Sequence, residues 1–261
     1  MARSIDTHDE IAIAEIVIYT FLLLGAVFLC TTHGFSRNAG WFYIIILSLA
    51  RLIGSSMLLA TISDPSNTSL YIGWVTLNGI GLGPLILILL GLLDRCFQCI
   101  QQQGGIVINA LYKRGIRLMM LAAVILLSVG GANSDYTLDG DSPTVKYSTE
   151  SKVGVALMIV VLVLVVGQYI LALRNQSYIV DGERRLLIAV GVSLPFVVVR
   201  LAYTCVLILG GHKQQVWLYL GAGVIMEMVV VIICEAVGFT LRKTQKPTES
   251  EQPKSTVSNE A

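Results

Sequence analysis

The chain has 261 residues, of which 55% are hydrophobic and only 13% charged, with a mean hydropathy of +0.75. Soluble domains carry about 25% charged residues, so a water-soluble core is excluded. The net charge of +1 leaves nothing to draw nucleic acid or an acidic partner, and the position of each charge becomes the informative quantity.

In chain order, Met1 to Glu10 carries one arginine and three acids ahead of a long apolar run. A cleaved secretory signal has a basic head instead, so the first span is expected to be retained. Thr7-His8-Asp9-Glu10 fits a capping box, with acids favoured at the positive helix end. A hydrocarbon core of about 30 Å takes about 20 mostly apolar helical residues. Seven stretches qualify, roughly 11–30, 41–62, 70–93, 116–132, 153–173, 186–210 and 216–240. The expected fold is therefore all-α, a bundle of seven transmembrane helices over residues 1–241. The rest, 242–261, lacks apolar periodicity and reads as a disordered cytosolic tail. Short turn segments such as Ser63-Asp64-Pro65-Ser66-Asn67 join the spans, and the longest loop, 133–152, is rich in Asp, Ser and Thr.

Orientation follows from Lys and Arg, which stay cytosolic. Loops one, three and five plus the tail hold Arg37, Arg95, Lys113, Arg114, Arg174, Arg184, Arg185, Arg242, Lys243, Lys246 and Lys254. The other side holds Arg3, Lys146, Lys152 and Lys213. Eleven against four predicts an outer or lumenal N-terminus and a cytosolic C-terminus, in an endomembrane such as the endoplasmic reticulum. The sequon Asn67-Thr68-Ser69 then faces the lumen, where Asn67 is a glycosylation site, while Asn175-Gln176-Ser177 faces the cytosol and is silent. The five cysteines are odd in number and mostly inside spans, so no disulfide framework is expected. Cys96 and Cys99 form one CxxC, a spacing that ordinary thiols at a membrane edge share with metal and redox centres.

Ionisable groups at membrane depth cost about 2.5–3.5 kcal/mol each on insertion scales, so they face the bundle interior and mark sites. Here they are Glu15, Arg51, Arg200, Glu227 and Glu235, joined by Asn78. All but Glu235 fall at the centre or in the outer half, where two arginines and two glutamates can neutralise one another. Residues three, four or seven apart share a helix face, which sets Tyr19 with Glu15, Tyr71 and Trp74 with Asn78, and Phe196 and Tyr203 with Arg200. An aromatic-lined polar cavity is one reading of this pattern. A purely structural ion-pair network is another, and Tyr71, Trp74, Trp217 and Tyr219 also sit where an outer aromatic belt lies. Pro195 and the Gly79-Gly81-Gly83-Pro84 run bend their spans.

No span holds a lysine for a retinal Schiff base, a DDxxD-type run for magnesium diphosphate, or an HxxxH pair for iron. No metal or cofactor is therefore expected. Asp94-Arg95, at the cytosolic end of span three, has the form of the acid-arginine switch of seven-helix receptors, though basic residues are common at that edge.

His33-Gly34-Phe35-Ser36-Arg37 leading to Gly40-Trp41, then Arg51-Leu52-Ile53-Gly54, Thr68 to Gly73, Gly182-Glu183-Arg184-Arg185, and Leu194-Pro195 with Arg200 and Tyr203 span nearly the whole chain before the tail. In these motifs the chain resembles a fungal family of seven-span proteins of largely unknown function. The resemblance implies a link to the small integral terpene cyclases of fungal meroterpenoid pathways, which close rings on a prenylated aromatic polyketide. Such an enzyme needs a buried carboxylic acid to protonate an epoxide or alkene, and aromatic faces to stabilise the cation. An arginine partner holds a carboxyl ionised, so the acid should be the less paired of Glu15 and Glu227; Glu227 is favoured for its central depth. Arg51 and Arg200 would orient the other carboxylate or a substrate oxygen, and Tyr19, Trp74, Asn78, Phe196 and Tyr203 would line the site of a lipophilic substrate arriving from the bilayer. The alternative is a receptor or sensor that binds a ligand unchanged and engages a G protein through cytosolic loops, which are short here. A transporter lacks visible inverted repeats. Oligomeric state is not legible.

Overall fold

A backbone in hydrocarbon must satisfy its own hydrogen bonds, and runs of Leu, Ile, Val and Ala do so as helices. The computed structural model describes residues 5–33, 39–64, 67–105, 109–139, 142–179, 181–210 and 215–242. The expected tail from 243 onward, Gly34 to Arg37, and Pro65-Ser66 of the expected turn lie outside the described residues.

The helices are α1 (Thr7–His33), α2 (Ala39–Ser63), α3 (Thr68–Ile80), α4 (Leu82–Gln102), α5 (Ala110–Ala132), α6 (Thr149–Arg174), α7 (Asp181–Gly210), α8 (Val216–Leu218) and α9 (Met226–Arg242). Pairs α3/α4 and α8/α9 each make one continuous rod, which gives seven candidate spans and a multi-pass integral membrane protein. Span three, Thr68–Gln102, outruns the hydropathy window at its far end, and span four begins at Ala110. Lys113 and Arg114 therefore lie on a helix, not in a loop.

Neighbouring spans pack in sequence and α1 closes the ring against α9, while α4 touches α2, α5, α6, α7 and α9. Span three is thus the central post. Its apolar window is 67% buried inside the protein, against 33–44% for the other six spans. Leu, Ile and Phe side chains around the whole circumference of α4 meet that demand, since a helix apolar on every side is a buried one.

Three local features depart from the sequence expectation. Helix α1 is capped one residue earlier than the Thr7 box: Asp6 is the cap, and its backbone N–H donates to Asp9 at 2.9 Å. The 133–152 loop contains an antiparallel hairpin, β1 (Asp135–Asp139) with β2 (Ser142–Lys146). Its base is stitched by hydroxyls. Ser134 donates to Gly130 O at 2.6 Å, Ser148 to the same oxygen at 2.9 Å, and Ser148 caps α6. A Cβ on Gly130 would lie 2.5 Å from Ser151 Oγ, so only glycine admits this approach of α5 to α6. Finally, Tyr219–Ile225 between α8 and α9 winds as a π-helix, a wide turn that is rare and frequent at functional sites. An odd number of spans puts the N-terminus and the hairpin at one end of the bundle, here called the hairpin end, and Arg242 at the other, the tail end.

Candidate functional site

Arg51, near the middle of α2, has 4% of its surface exposed, and its guanidinium is fully engaged. Nε donates to Glu227 Oε1 at 2.5 Å, Nη2 bonds Glu227 Oε2, and Nη1 donates to Asn78 Oδ1 at 2.5 Å. This two-pronged pairing is the geometry a planar guanidinium offers a carboxylate. Tyr19 on α1 donates its hydroxyl to Glu227 Oε1 at 2.9 Å.

The remaining charges close around this pair. Glu15 Oε1 lies 3.8 Å from Arg51 Nη1, accepts from the Tyr219 hydroxyl at 3.3 Å, and its other oxygen accepts from Ser55 at 2.6 Å. Arg200 Nε stands 3.5 Å from Glu227 Oε2 without a hydrogen bond. Its other nitrogens donate to Asn78 O and Thr204 Oγ1, both at 3.0 Å. Two positive and two negative side chains from α1, α2, α7 and α9 are therefore collected on the α3/α4 junction, each at least 96% buried.

That junction is shaped for them. Gly81 sits in helical conformation where α3 passes into α4, and a Cβ there would stand 3.0 Å from Arg51 Nη2 and 3.2 Å from Glu227 Oε2. The π-helix ends two residues before Glu227 and carries Tyr219 at its start. The α3/α4 junction and the π-helix thus both border the charges.

Of the residues singled out in the sequence, Glu15, Tyr19, Arg51, Asn78, Arg200 and Glu227 meet directly. Trp74 borders them with Glu15 and Arg51, and packs edge-on to Tyr219 and His8, at 6.0 and 5.9 Å. Trp74 and Tyr219 therefore turn inward, while Trp217, 78% exposed, keeps the belt position. Tyr203 lies 5.5 Å beneath Arg200. Phe196 packs against the apolar core instead of the charges. The less paired carboxyl is Glu15, not Glu227 as its depth had suggested, because Glu227 alone takes both prongs of Arg51. Glu235 stands apart, against Gly25 of α1. Ser55, Thr204 and Tyr219 had not been foreseen as partners. Cys96 and Cys99 are both buried, and Asn67 is exposed just before α3.

The space between Glu15, Arg51, Gly54, Ser55, Trp74 and Asn78 is too small for a water molecule. Beside it, a cleft of about 30 Å³ opens between spans three, four, five and six, with Arg200 in its wall.

At the tail end, Asp94 pairs with Arg117 and, at 3.3 Å, with Lys113, both on α5. Its neighbour Arg95 reaches Glu183 on α7 at 3.5 Å, and Glu183 Oε2 has no hydrogen-bond partner. The Asp94-Arg95 pair thus joins span three to spans four and six.

Residues 5–244 match the family model described as Domain of unknown function (DUF7702). The chain belongs to that family. No curated protein and no solved structure matches it. The family's description carries no activity with it.

Proposed function

We propose that this protein is a seven-helix receptor or sensor, in which the Arg95–Glu183 pair ties spans three and six together until a signal at the hairpin end releases it. The carrying observation is that single contact. It joins the buried central post to the start of a span that also carries Arg200 and a proline, Pro195. The Lys and Arg asymmetry supports a cytosolic tail end, where a G protein would meet it, with the hairpin and Asn67 facing the lumen or exterior. The pair is held by one 3.5 Å contact and keeps part of its surface in water, so parting it costs less than parting the wholly buried Arg51–Glu227 pair, and the ligand must prefer the open form by that amount. Spin labels at the tail ends of spans three and six report the separation in wild type and in Arg95→Ala and Glu183→Gln, and a G-protein subunit is sought with the intact chain. Wider spacing in the variants with capture of that subunit supports the reading. Unchanged spacing in both variants removes it.

A second reading, acid-initiated cyclisation of a prenylated aromatic polyketide, is favoured by one feature. Glu15 has no two-pronged arginine and lies among Tyr219, Trp74 and Tyr19, so it could be the neutral acid such chemistry needs. Against it stands the tight space around the carboxyl, which must open to admit a lipophilic substrate. Microsomes carrying Glu15→Gln or Glu227→Gln, assayed on an epoxidised prenyl-phenol, separate the two: loss of turnover in Glu15→Gln supports cyclisation, and absence of any wild-type product removes it.

A further inference from the structure

Glu235 is a buried acid that the central cluster does not use. It sits on α9 about 12 Å along the axis from Glu227, toward the tail end, and about 10 Å short of the helix end at Arg242. Only 6% of its surface is exposed. Its Oε1 has no hydrogen-bond partner, and among the described residues Glu235 belongs to no ion pair. The carboxyl lies against α1 at Gly25 instead. A Cβ there would stand 2.8 Å from Glu235 Oε2, so glycine is what lets the two helices close on it. One turn nearer the tail end, Phe28 of α1 and Phe239 of α9 stack at 6.1 Å across the same seam.

Helix α9 packs against α1, α4 and α7, and its Gly238 meets Trp41 of α2. Among the described residues none of these helices brings a counter-charge to Glu235. Arg51 of α2 is bound to Glu227 and Asn78, and Arg200 of α7 stays beside Glu227. On α4, Arg95 is paired with Glu183 of α7 and Asp94 with α5. Arg184 and Arg185 of α7 are exposed at the tail end. The titratable groups left in the tail half are Tyr43 on α2, Cys96 and Cys99 on α4, Cys30 and the terminal His33 on α1, and Cys234 beside Glu235 on α9.

We propose that Glu235 is a proton-binding site: a neutral carboxylic acid that keeps the α1/α9 seam closed, and whose loss of the proton opens that seam at the tail end. The contact with Gly25 leaves no room for a cation between carboxyl and helix, so the ligand that fits is a proton. An unpartnered charge in a low-dielectric interior is far more costly than an unpartnered neutral carboxyl, and such a group takes up a proton instead. Glu15 and Glu227 escape that choice because each has Arg51 beside it. Once ionised, Glu235 cannot stay in the seam. Water and Arg242 lie two helical turns along α9, and the way there passes the Phe28–Phe239 stack. The closed seam holds a proton that the open seam gives up to water, so a rise in pH favours the open form. The site is independent of the receptor reading, since the Arg95–Glu183 pair joins spans three and six and this seam joins spans one and seven.

The test uses the full chain in lipid nanodiscs. Infrared difference spectra between wild type and Glu235→Gln should show a carboxylic-acid C=O stretch that wild type has at neutral pH and the variant lacks, with the carboxylate bands unchanged. Spin labels at Thr32 of α1 and Thr240 of α9, near the tail ends of both helices, read the seam. As pH is raised until the acid band fades, the labels in wild type should separate by several ångströms in step with the band, and close again on reacidification. Glu235→Gln has the size of the neutral acid and cannot ionise, so it should fold as wild type and stay closed throughout. Glu235→Met, apolar and of similar length, is the second variant and should stay closed too. A carboxylate band lost in place of the acid band, an acid band that outlasts unfolding of the bundle, a spacing that ignores pH, or equal widening in the variants overturns the proposal.

Discussion

Arg51 and Arg95 are the same side chain in two solvents. Arg51 faces Glu227 with both residues almost wholly buried, whereas the side chains of Arg95 and Glu183 keep 13% and 23% of their surface exposed. Water competes for the second pair and not for the first. A desolvated pair is strongly interdependent, because removal of one partner strands a buried charge at about 3–5 kcal/mol. A pair that keeps some of its surface in water moves toward the fully exposed limit of about 1 kcal/mol or less. One is suited to hold α2 to α9 permanently, the other to part and re-form.

That contrast can be broken at several points. The largest effect is expected from Arg51→Met, which leaves Glu227 without its two-pronged partner and should cost about 3–5 kcal/mol, read as loss of folded protein in detergent. Arg51→Met with Glu227→Met removes both charges and keeps the sum at zero, so it should recover most of the loss. Next is Gly81→Ala, whose Cβ would press on both members of the pair; the expected cost is about 1–3 kcal/mol, seen as a lower unfolding midpoint. Ser55→Ala deletes the bond to Glu15 and should cost about 1–3 kcal/mol, because the carboxyl loses a buried partner. Glu183→Gln closes the series with about 1 kcal/mol or less. If it destabilises as much as Arg51→Met, the two pairs do not differ in kind.

The seven spans were legible because hydropathy over some twenty residues averages out local detail. The meeting of Glu15, Arg51, Asn78, Arg200 and Glu227 was legible too, since charges at one depth in hydrocarbon have nowhere to go but toward each other. Which carboxyl takes which arginine was not, because depth says nothing about rotation around a helix. Tyr219 was open to a belt reading because the π-helix between it and Glu227 shifts the angular relation that ordinary helical spacing assumes. Phe196 has the right spacing from Arg200 on α7, yet it packs against the apolar core. The hairpin was overlooked although Tyr136 and Leu138, and Pro143 and Val145, alternate with polar residues, because two five-residue alternations are short against the Asp, Ser and Thr content of the loop around them. The partner of Arg95 lies on a different span, and no local spacing could have named it.

Among the described residues, the seventh span is the one rod that winds in part as a π-helix. A wide turn holds a surplus residue relative to an α-helix, and each α residue advances about 100° around the axis. Deleting Gly221 would take up that surplus and return the stretch to α winding, with Tyr219 near Glu15 and the Glu227 clamp close to their present register. A one-residue deletion in any of the other spans would instead turn half a buried face toward lipid.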